Sequence, residues 1–144
     1  MRSKLVREPN GSTYRYLAKQ GTTRIVSSLE SKKEGLLEPD SGIRPMEMLL
    51  GALAGCMAID VEMILSKQRQ DIRELDIQME SERNEAHPRT FSRIHLSFAF
   101  KGVLDERKVE RAIDLSLNKY CPVRHSLNPS IEITTSYSIQ SVGS

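Results

Sequence analysis

Apolar and polar residues alternate in five stretches of the chain, and each alternation predicts a half-buried strand. The five stretches lie at 14–18, 22–27, 75–79, 94–100 and 131–139. Gly21 separates the first two and predicts a turn between paired strands. A polar segment at 84–90 joins the third and fourth stretches, so we expect these two strands to pair antiparallel.

Between the second and third strands, the pattern changes to a helix that is apolar on nearly every face. Pro45 suits the first turn of this helix. The stretch 46–65 carries only three charged residues, Glu47, Asp60 and Glu62. A helix that is apolar all round is expected to be buried all round. One chain of 144 residues can hardly surround such a helix, so the pattern predicts a homodimer.

The same helix is rich in small residues. Glycine costs a helix up to ~1 kcal/mol relative to alanine, so their presence indicates close packing against a neighbour. The small residues are Gly51, Ala52, Ala54, Gly55 and Ala58.

Apolar residues return at helical spacing after the fourth strand. Asp105 is a suitable N-cap for a helix that continues to Tyr120. Pro122 interrupts this helix and can begin a short further one. The order of elements predicts an α+β fold in which a long buried central helix packs on an antiparallel sheet. The length predicts a single domain that covers residues 1–144.

Composition narrows the possible partners. The net charge is +2 and the charges of both signs are interspersed, which favours neither nucleic acid nor a membrane surface as a partner. The longest uncharged run, 48–59, is shorter than the roughly 20 apolar residues that span a bilayer. Residues 1–8 show no apolar signal-peptide segment, so we expect a cytoplasmic protein.

The two cysteines are the main candidates for chemistry. In a reducing compartment they are expected to be free, catalytic or redox-sensing rather than a structural disulfide. Cys121 precedes Pro122 at a helix start, where the helix dipole favours a thiolate, so local physics makes it the better thiolate. Cys56 lies in apolar surroundings, and there it is either a small buried hydrophobe or a nucleophile served by a distant cation.

Metal and cofactor sites are not predicted. Cys121 and His125 are four residues apart, with His87 and His95 in reserve, but the chain has no CxxC pair of the kind that binds zinc. It also has neither a GxGxxG segment nor a P-loop. We therefore expect no cofactor and no metal.

The segments around the two cysteines resemble the OsmC/Ohr family, and most closely its OsmC-like, YhfA-related branch. The resemblance rests on PMEMLLGALAGC at 45–56 and KYCPV at 119–123. It implies an intertwined α+β homodimer with active sites at the subunit interface. It also implies a thiol peroxidase for organic hydroperoxides, in which Cys56 is peroxidatic, Cys121 is resolving and a dithiol reductant restores both. An apolar pocket is expected from Met46, Leu49, Leu50, Leu53 and the partner subunit.

The resemblance implies an arginine and a glutamate beside the first cysteine. Arg24 is the first candidate for the arginine and Arg15 the second. Glu47 is the candidate for the glutamate, although nine residues separate it from Cys56, about half a helical turn out of phase.

Two further polar residues lie one helical turn after the cysteines. Asp60 follows Cys56 and is expected to pair with an arginine or across the dimer. His125 follows Cys121 and is either a donor to its sulfur or a surface histidine.

Two other functions fit the same residues. One is a binding protein that holds a small apolar ligand at the dimer interface, with the cysteines as sensors or relics. The other is a structural dimer whose buried cysteines are inert.

Overall fold

A computed structural model describes residues 1–9, 13–26 and 42–142. The described residues form two compact units, within Met1–Leu50 and Gly51–Ser144. Each unit is described below by itself. The single domain over residues 1–144 stays a prediction.

The first unit contains a three-stranded antiparallel sheet. Its strands are β1 (Ser3–Arg7), β2 (Thr13–Ala18) and β3 (Gly21–Val26), in the order β1-β2-β3. The predicted pairing of β2 with β3 is confirmed. Strand β1 was not predicted, because its five residues are all exposed and leave no apolar alternation to detect. The polar loop expected before Pro45 lies mostly outside the described residues.

The long helix α1 (Pro45–Lys67) begins at Pro45 as predicted. It is not buried all round in the single chain. Five residues form its buried face: Leu53, Ala54, Met57, Val61 and Leu65. By contrast, Ile59 is 59% exposed and Met63 is 55% exposed. The complete burial expected from the apolar pattern therefore needs a neighbour that the described residues do not provide.

By length and composition, the 23 residues of α1 are enough to cross a membrane. The expectation from the sequence concerned only the uncharged run 48–59, which is shorter than the helix as a whole. A partly buried core helix of a soluble protein has the same properties, so this finding is weak evidence for a membrane span.

The second unit contains a mixed sheet in the order β4-β5-β6. Strands β4 (Asp71–Arg83) and β5 (Phe91–Val103) pair antiparallel, as predicted. Strand β6 (Glu132–Ser141) pairs parallel to β5, so the prediction of an antiparallel sheet is wrong here. The reason is the connection: a helical crossover carries the chain back to the end of the sheet where β5 began.

That crossover consists of three helical pieces. Helix α2 (Glu106–Leu115) begins at the predicted N-cap Asp105, whose carboxylate accepts hydrogen bonds from the next turn. A wider π-helical turn, Ser116–Tyr120, follows directly. Helix α3 (Pro122–Ser126) then completes the crossover.

Strand β5 and the buried faces of α1 and α2 supply most of the core. Strand β5 alternates buried and less buried positions, so one face of the sheet is apolar. The largest fully buried side chains include Phe98 and Phe100, whose rings stack with centroids 6.2 Å apart. The core therefore fixes the inner face of α1 and the crossover, the two parts of the fold from which the candidate site is built.

We expect Phe98→Ala to lower the free energy of unfolding by about 3–5 kcal/mol, because it empties a fully buried position. Val103→Ala on the same strand, at a position that is 52% exposed, should cost under about 1 kcal/mol. Urea unfolding of both variants measures the difference. Equal losses would contradict the assignment of β5 as the centre of the core.

Candidate functional site

The fold of the second unit brings the two cysteines together although 65 positions separate them in the sequence. Cys56 lies on α1, half-buried, and Cys121 is fully buried at the start of α3. Both are free thiols. The two sulfur atoms and a carboxylate oxygen of Asp60 all lie within 4.8 Å of one another. We call Cys56, Asp60 and Cys121 the thiol cluster.

The π-helical turn sets the position of Cys121. The backbone N–H of Cys121 donates to the carbonyl of Ser116, five residues earlier, at 2.8 Å. Cys121 is also the N-cap of α3, as predicted, and its sulfur accepts a hydrogen bond of 3.3 Å from the N–H of Arg124. Single π-turns within helices occur frequently at functional sites.

A buried hydroxyl holds the carboxylate of the thiol cluster. Ser116 is fully buried, and its Oγ donates to Asp60 Oδ2 at 2.9 Å. Asp60 follows Cys56 by one helical turn, so both side chains lie on the same side of α1. This spacing was visible in the sequence, but Ser116 could not be identified as the partner because 56 positions separate it from Asp60.

Burial controls the acidity of Cys121. Burial first, and then the hydrogen bond and charge of the neighbouring Cys56, raise the pKa of the Cys121 thiol to about 11. The N–H groups of Arg124 and Val123 lower the pKa but do not outweigh burial. The prediction that Cys121 is the better thiolate is therefore wrong. A helix of five residues has too few aligned peptides to offset the loss of water.

His125 does not donate a hydrogen bond to the sulfur of Cys121. Its Nδ1 lies 2.9 Å from the carbonyl oxygen of Cys121, and because a carbonyl only accepts, Nδ1 carries the hydrogen. The side chain is otherwise exposed. The alternative of a surface histidine fits this placement, and the proposed donation to sulfur does not.

The other two predicted site residues lie in the first unit. Arg24 is on β3, where its Nε pairs with Glu8 Oε1 at 3.2 Å, and Arg15 lies opposite it on β2. Glu47 lies in the first turn of α1, with its Oε1 4.0 Å from Arg44 Nε. A contact of Arg24 or Glu47 with Cys56 stays a prediction.

An open cleft of about 530 Å³ borders the thiol cluster, because Asp60, a member of the cluster, also lines the cleft. Lys67 and Gln68 are polar residues at its wall. Its apolar lining comes from Met63, Ile64, Leu115 and Tyr120. The pocket walls expected from the sequence were different, and Leu53 is wrong as a wall because it is fully buried in the core. The apolar α1 residues of the cleft, Met63 and Ile64, lie about three helical turns beyond Leu53.

The three donor atoms of the thiol cluster, two sulfurs and one carboxylate oxygen, allow both redox chemistry and metal binding. Two adjacent thiols can exchange electrons by forming a disulfide, and a carboxylate beside them can accept a proton. Two sulfurs and one carboxylate oxygen are also donors that divalent metals use. The histidines expected as reserve ligands are not part of this cluster; His95, for example, hydrogen-bonds Thr134 and Ser136.

Comparison with known proteins places the chain among the OsmC-like proteins. The family model described as OsmC-like protein matches residues 38–136. Protein YhfA of Escherichia coli K12 is 44% identical over 108 residues, which cover 72% of this chain and 81% of YhfA.

Solved structures share the fold over nearly the whole chain. A hypothetical protein from Aquifex aeolicus VF5 superposes with a TM-score of 0.84 at 25% identity, covering 99% of this chain and 97% of that one. The organic hydroperoxide resistance protein OhrB of Bacillus subtilis gives a TM-score of 0.60 at 15% identity, covering 96% and 98%. At that identity the likeness to OhrB concerns the fold alone.

The raised pKa of Cys121 predicts how its alkylation depends on pH. In the reduced folded protein, the rate of Cys121 labelling by iodoacetamide should keep rising between pH 9 and about 11, because the thiolate fraction grows tenfold per pH unit below the pKa. In urea, the same rate should level off above its ordinary pKa of 9.0. Peptide-resolved mass spectrometry gives both profiles. A folded-state profile that levels off at or below pH 9 would refute the burial argument.

Proposed function

The chain belongs to the OsmC-like protein family, and on that premise we propose that it reduces organic hydroperoxides with its two cysteines. Cys56 is the peroxidatic residue and Cys121 the resolving residue. The observation that carries the proposal is the distance within the thiol cluster. Two free sulfurs within 4.8 Å need only a small side-chain movement to reach the S–S bond length of about 2.05 Å.

In the first step, the Cys56 thiolate attacks one oxygen of the hydroperoxide ROOH. The S–O bond forms as the O–O bond breaks, and the leaving alkoxide takes a proton to become the alcohol ROH. Cys56 is then a sulfenic acid, the first stage of thiol oxidation. Asp60, which lies beside both sulfurs, is suited to accept the proton of the attacking thiol.

In the second step, the sulfur of Cys121 attacks the sulfenic acid. The S–S bond forms and the hydroxyl group leaves as water with the proton of the Cys121 thiol. A dithiol reductant then reduces the disulfide and is itself oxidised. One hydroperoxide and two thiols thus give one alcohol, one water and one disulfide.

The raised pKa of Cys121 supports this assignment of roles. A thiol with a pKa of about 11 stays protonated near neutral pH, and the charge of a Cys56 thiolate is among the causes of that value. Cys121 is thus kept as a thiol and does not compete with Cys56 for the hydroperoxide. It becomes reactive only when an electrophilic sulfenic acid forms beside it.

We include Arg24 and Glu47 in the proposed site, with the Arg24 guanidinium as the cation that favours the Cys56 thiolate. A thiolate needs a nearby cation to be favoured in an apolar setting. Arg24 already pairs with a carboxylate, Glu8, which shows that its guanidinium is held in an ion pair of the first unit. A guanidinium has five N–H donors, so a second partner is compatible with this pair.

The exposed face of α1 supports the proposal that the protein acts as a homodimer. Gly51 and Gly55 are exposed, and among the described residues a side chain at either would meet no atom within 4 Å. Ile59 and Met63 continue this exposed strip. A strip of small and apolar residues on a helix is the kind of surface that a second copy of the helix would cover.

The cleft beside Asp60 favours organic hydroperoxides over hydrogen peroxide. Its apolar side chains bind an alkyl or aryl group, and a small polar oxidant gains nothing from them. The same cleft favours a second candidate function, the binding of a small apolar molecule with little or no peroxidase activity. Slow reaction of Cys56 with hydroperoxides, together with saturable binding of an apolar probe, would favour that function.

Trapping experiments test the two cysteine roles. After one equivalent of an organic hydroperoxide, Cys121→Ser should accumulate a sulfenic acid on Cys56 that dimedone labels, because no resolving thiol remains. Cys56→Ser should react at least 100-fold more slowly, since the remaining thiol has a raised pKa. Peptide mass spectrometry reads the labelled residue. Rapid trapping on Cys121 would reverse the roles, and two unreacted cysteines after minutes would refute the peroxidase.

Substitution on the exposed strip of α1 tests the homodimer. Gly51→Leu removes a helix-destabilising glycine and meets no described atom in the chain, so it should leave the monomer folded. It should nevertheless weaken dimerisation at least tenfold, because the added side chain obstructs the partner. Lys108→Leu, at an exposed position on α2 and outside the strip, is the control. Sedimentation velocity measures both. A wild-type monomer at micromolar concentration, or a dimer unaffected by Gly51→Leu, would argue against this interface.

A further inference from the structure

We propose that the reduced protein binds a thiophilic divalent cation, Zn²⁺ or a close analogue, through the thiol cluster. The ligands are Cys56 Sγ, Cys121 Sγ and one oxygen of Asp60. This inference is independent of peroxide chemistry, because it concerns what the reduced cluster holds when no oxidant is present.

The distances of the cluster are close to those of a tetrahedral site. With Zn–S bonds of about 2.3 Å and Zn–O bonds of about 2.0 Å, two sulfurs lie about 3.8 Å apart and a sulfur and an oxygen about 3.5 Å apart. The three donor atoms lie within 4.8 Å of one another. Side-chain rotations that shorten these distances by about 1 Å complete the geometry. Three protein ligands leave a fourth position for water.

Groups around the cluster already orient its ligands. Ser116 Oγ donates to one oxygen of Asp60, which fixes the carboxylate and leaves the other oxygen available. The N–H of Arg124 donates to Cys121 Sγ, an arrangement that stabilises a metal-bound thiolate. Such supporting hydrogen bonds change metal affinity by about 10–100-fold when they are removed.

The charges of the cluster favour a cation. The fold brings two thiols and an acid together here, and the groups outside the cluster that hydrogen-bond Asp60 and Cys121 are a hydroxyl and backbone amides, all neutral. Binding releases two thiol protons: Zn²⁺ replaces them and forms two Zn–S bonds and one Zn–O bond. No electron is transferred, so the reaction needs no oxidant or reductant.

Metal binding and disulfide formation exclude each other, because both use the same two sulfurs. A bound cation would protect the thiols from oxidation, and formation of the Cys56–Cys121 disulfide would release the cation. The cluster would thus link the redox state of the protein to its metal content.

Cobalt and zinc titrations of the full-length reduced protein test the site. Adding Co²⁺ without oxygen should produce a thiolate-to-cobalt charge-transfer band that saturates at one ion per chain, and Zn²⁺ should displace it. A chromophoric chelator in competition gives the zinc affinity. We expect Ser116→Ala to lower that affinity about tenfold and Asp60→Ala to lower it further. Glu62→Ala, an exposed acid on the same helix, should leave it unchanged.

The wild-type protein provides a comparison that needs no variant to fold. Oxidation to the Cys56–Cys121 disulfide should abolish the cobalt band, and reduction should restore it. Absence of the band in reduced protein, its persistence after oxidation, or equal affinity in Asp60→Ala and wild type would each overturn the metal site. Because these readouts use no hydroperoxide, they can fail while the peroxidase stands, and the reverse is also true.

Discussion

The hydrogen bond from Ser116 to Asp60 ties the middle of α1 to the π-helical turn that precedes Cys121. It is formed between residues 56 positions apart, and it lies beside both sulfurs. Ser116 is fully buried, and a buried hydroxyl left without a partner costs about 1–3 kcal/mol. The half-buried carboxylate of Asp60 supplies that partner and so holds the π-helical turn against α1. This contact keeps Cys121 beside Cys56.

Two opposing effects act on Cys121, and their relative size assigns its role. The amides at the start of α3 favour a thiolate, whereas burial and the adjacent Cys56 favour the thiol. Burial is the larger effect, so the pKa rises to about 11 rather than falling. The result is a protonated, well-positioned thiol beside a more exposed one. This asymmetry suits a pair in which one sulfur attacks and the other resolves, and it leaves both available to a metal.

Much of the fold was predictable because its signals are local. Pro45 begins α1, Asp105 caps α2, and alternation identifies β4 and β5. The parallel pairing of β6 was not predictable, because side chains alternate between the two faces of a sheet in the same way in parallel and antiparallel strands. The position of Cys121 was predictable, but its pKa was not, because burial depends on distant residues. The hydrogen bond between Asp60 and Ser116 could not be predicted, because a contact between residues so far apart leaves no pattern in the sequence around either one.

The stoichiometry of the wild-type reaction is the sharpest test of whether Cys56 and Cys121 act together as a redox pair. Reduced protein would be mixed with a substoichiometric organic hydroperoxide, and the alcohol formed and the disulfide formed within each chain would be measured over time. We expect one alcohol and one Cys56–Cys121 disulfide for each hydroperoxide consumed, so that both products reach the same final yield. Consumption of hydroperoxide without this disulfide, or a disulfide between chains in its place, would contradict a redox pair built by the contact of α1 with the crossover.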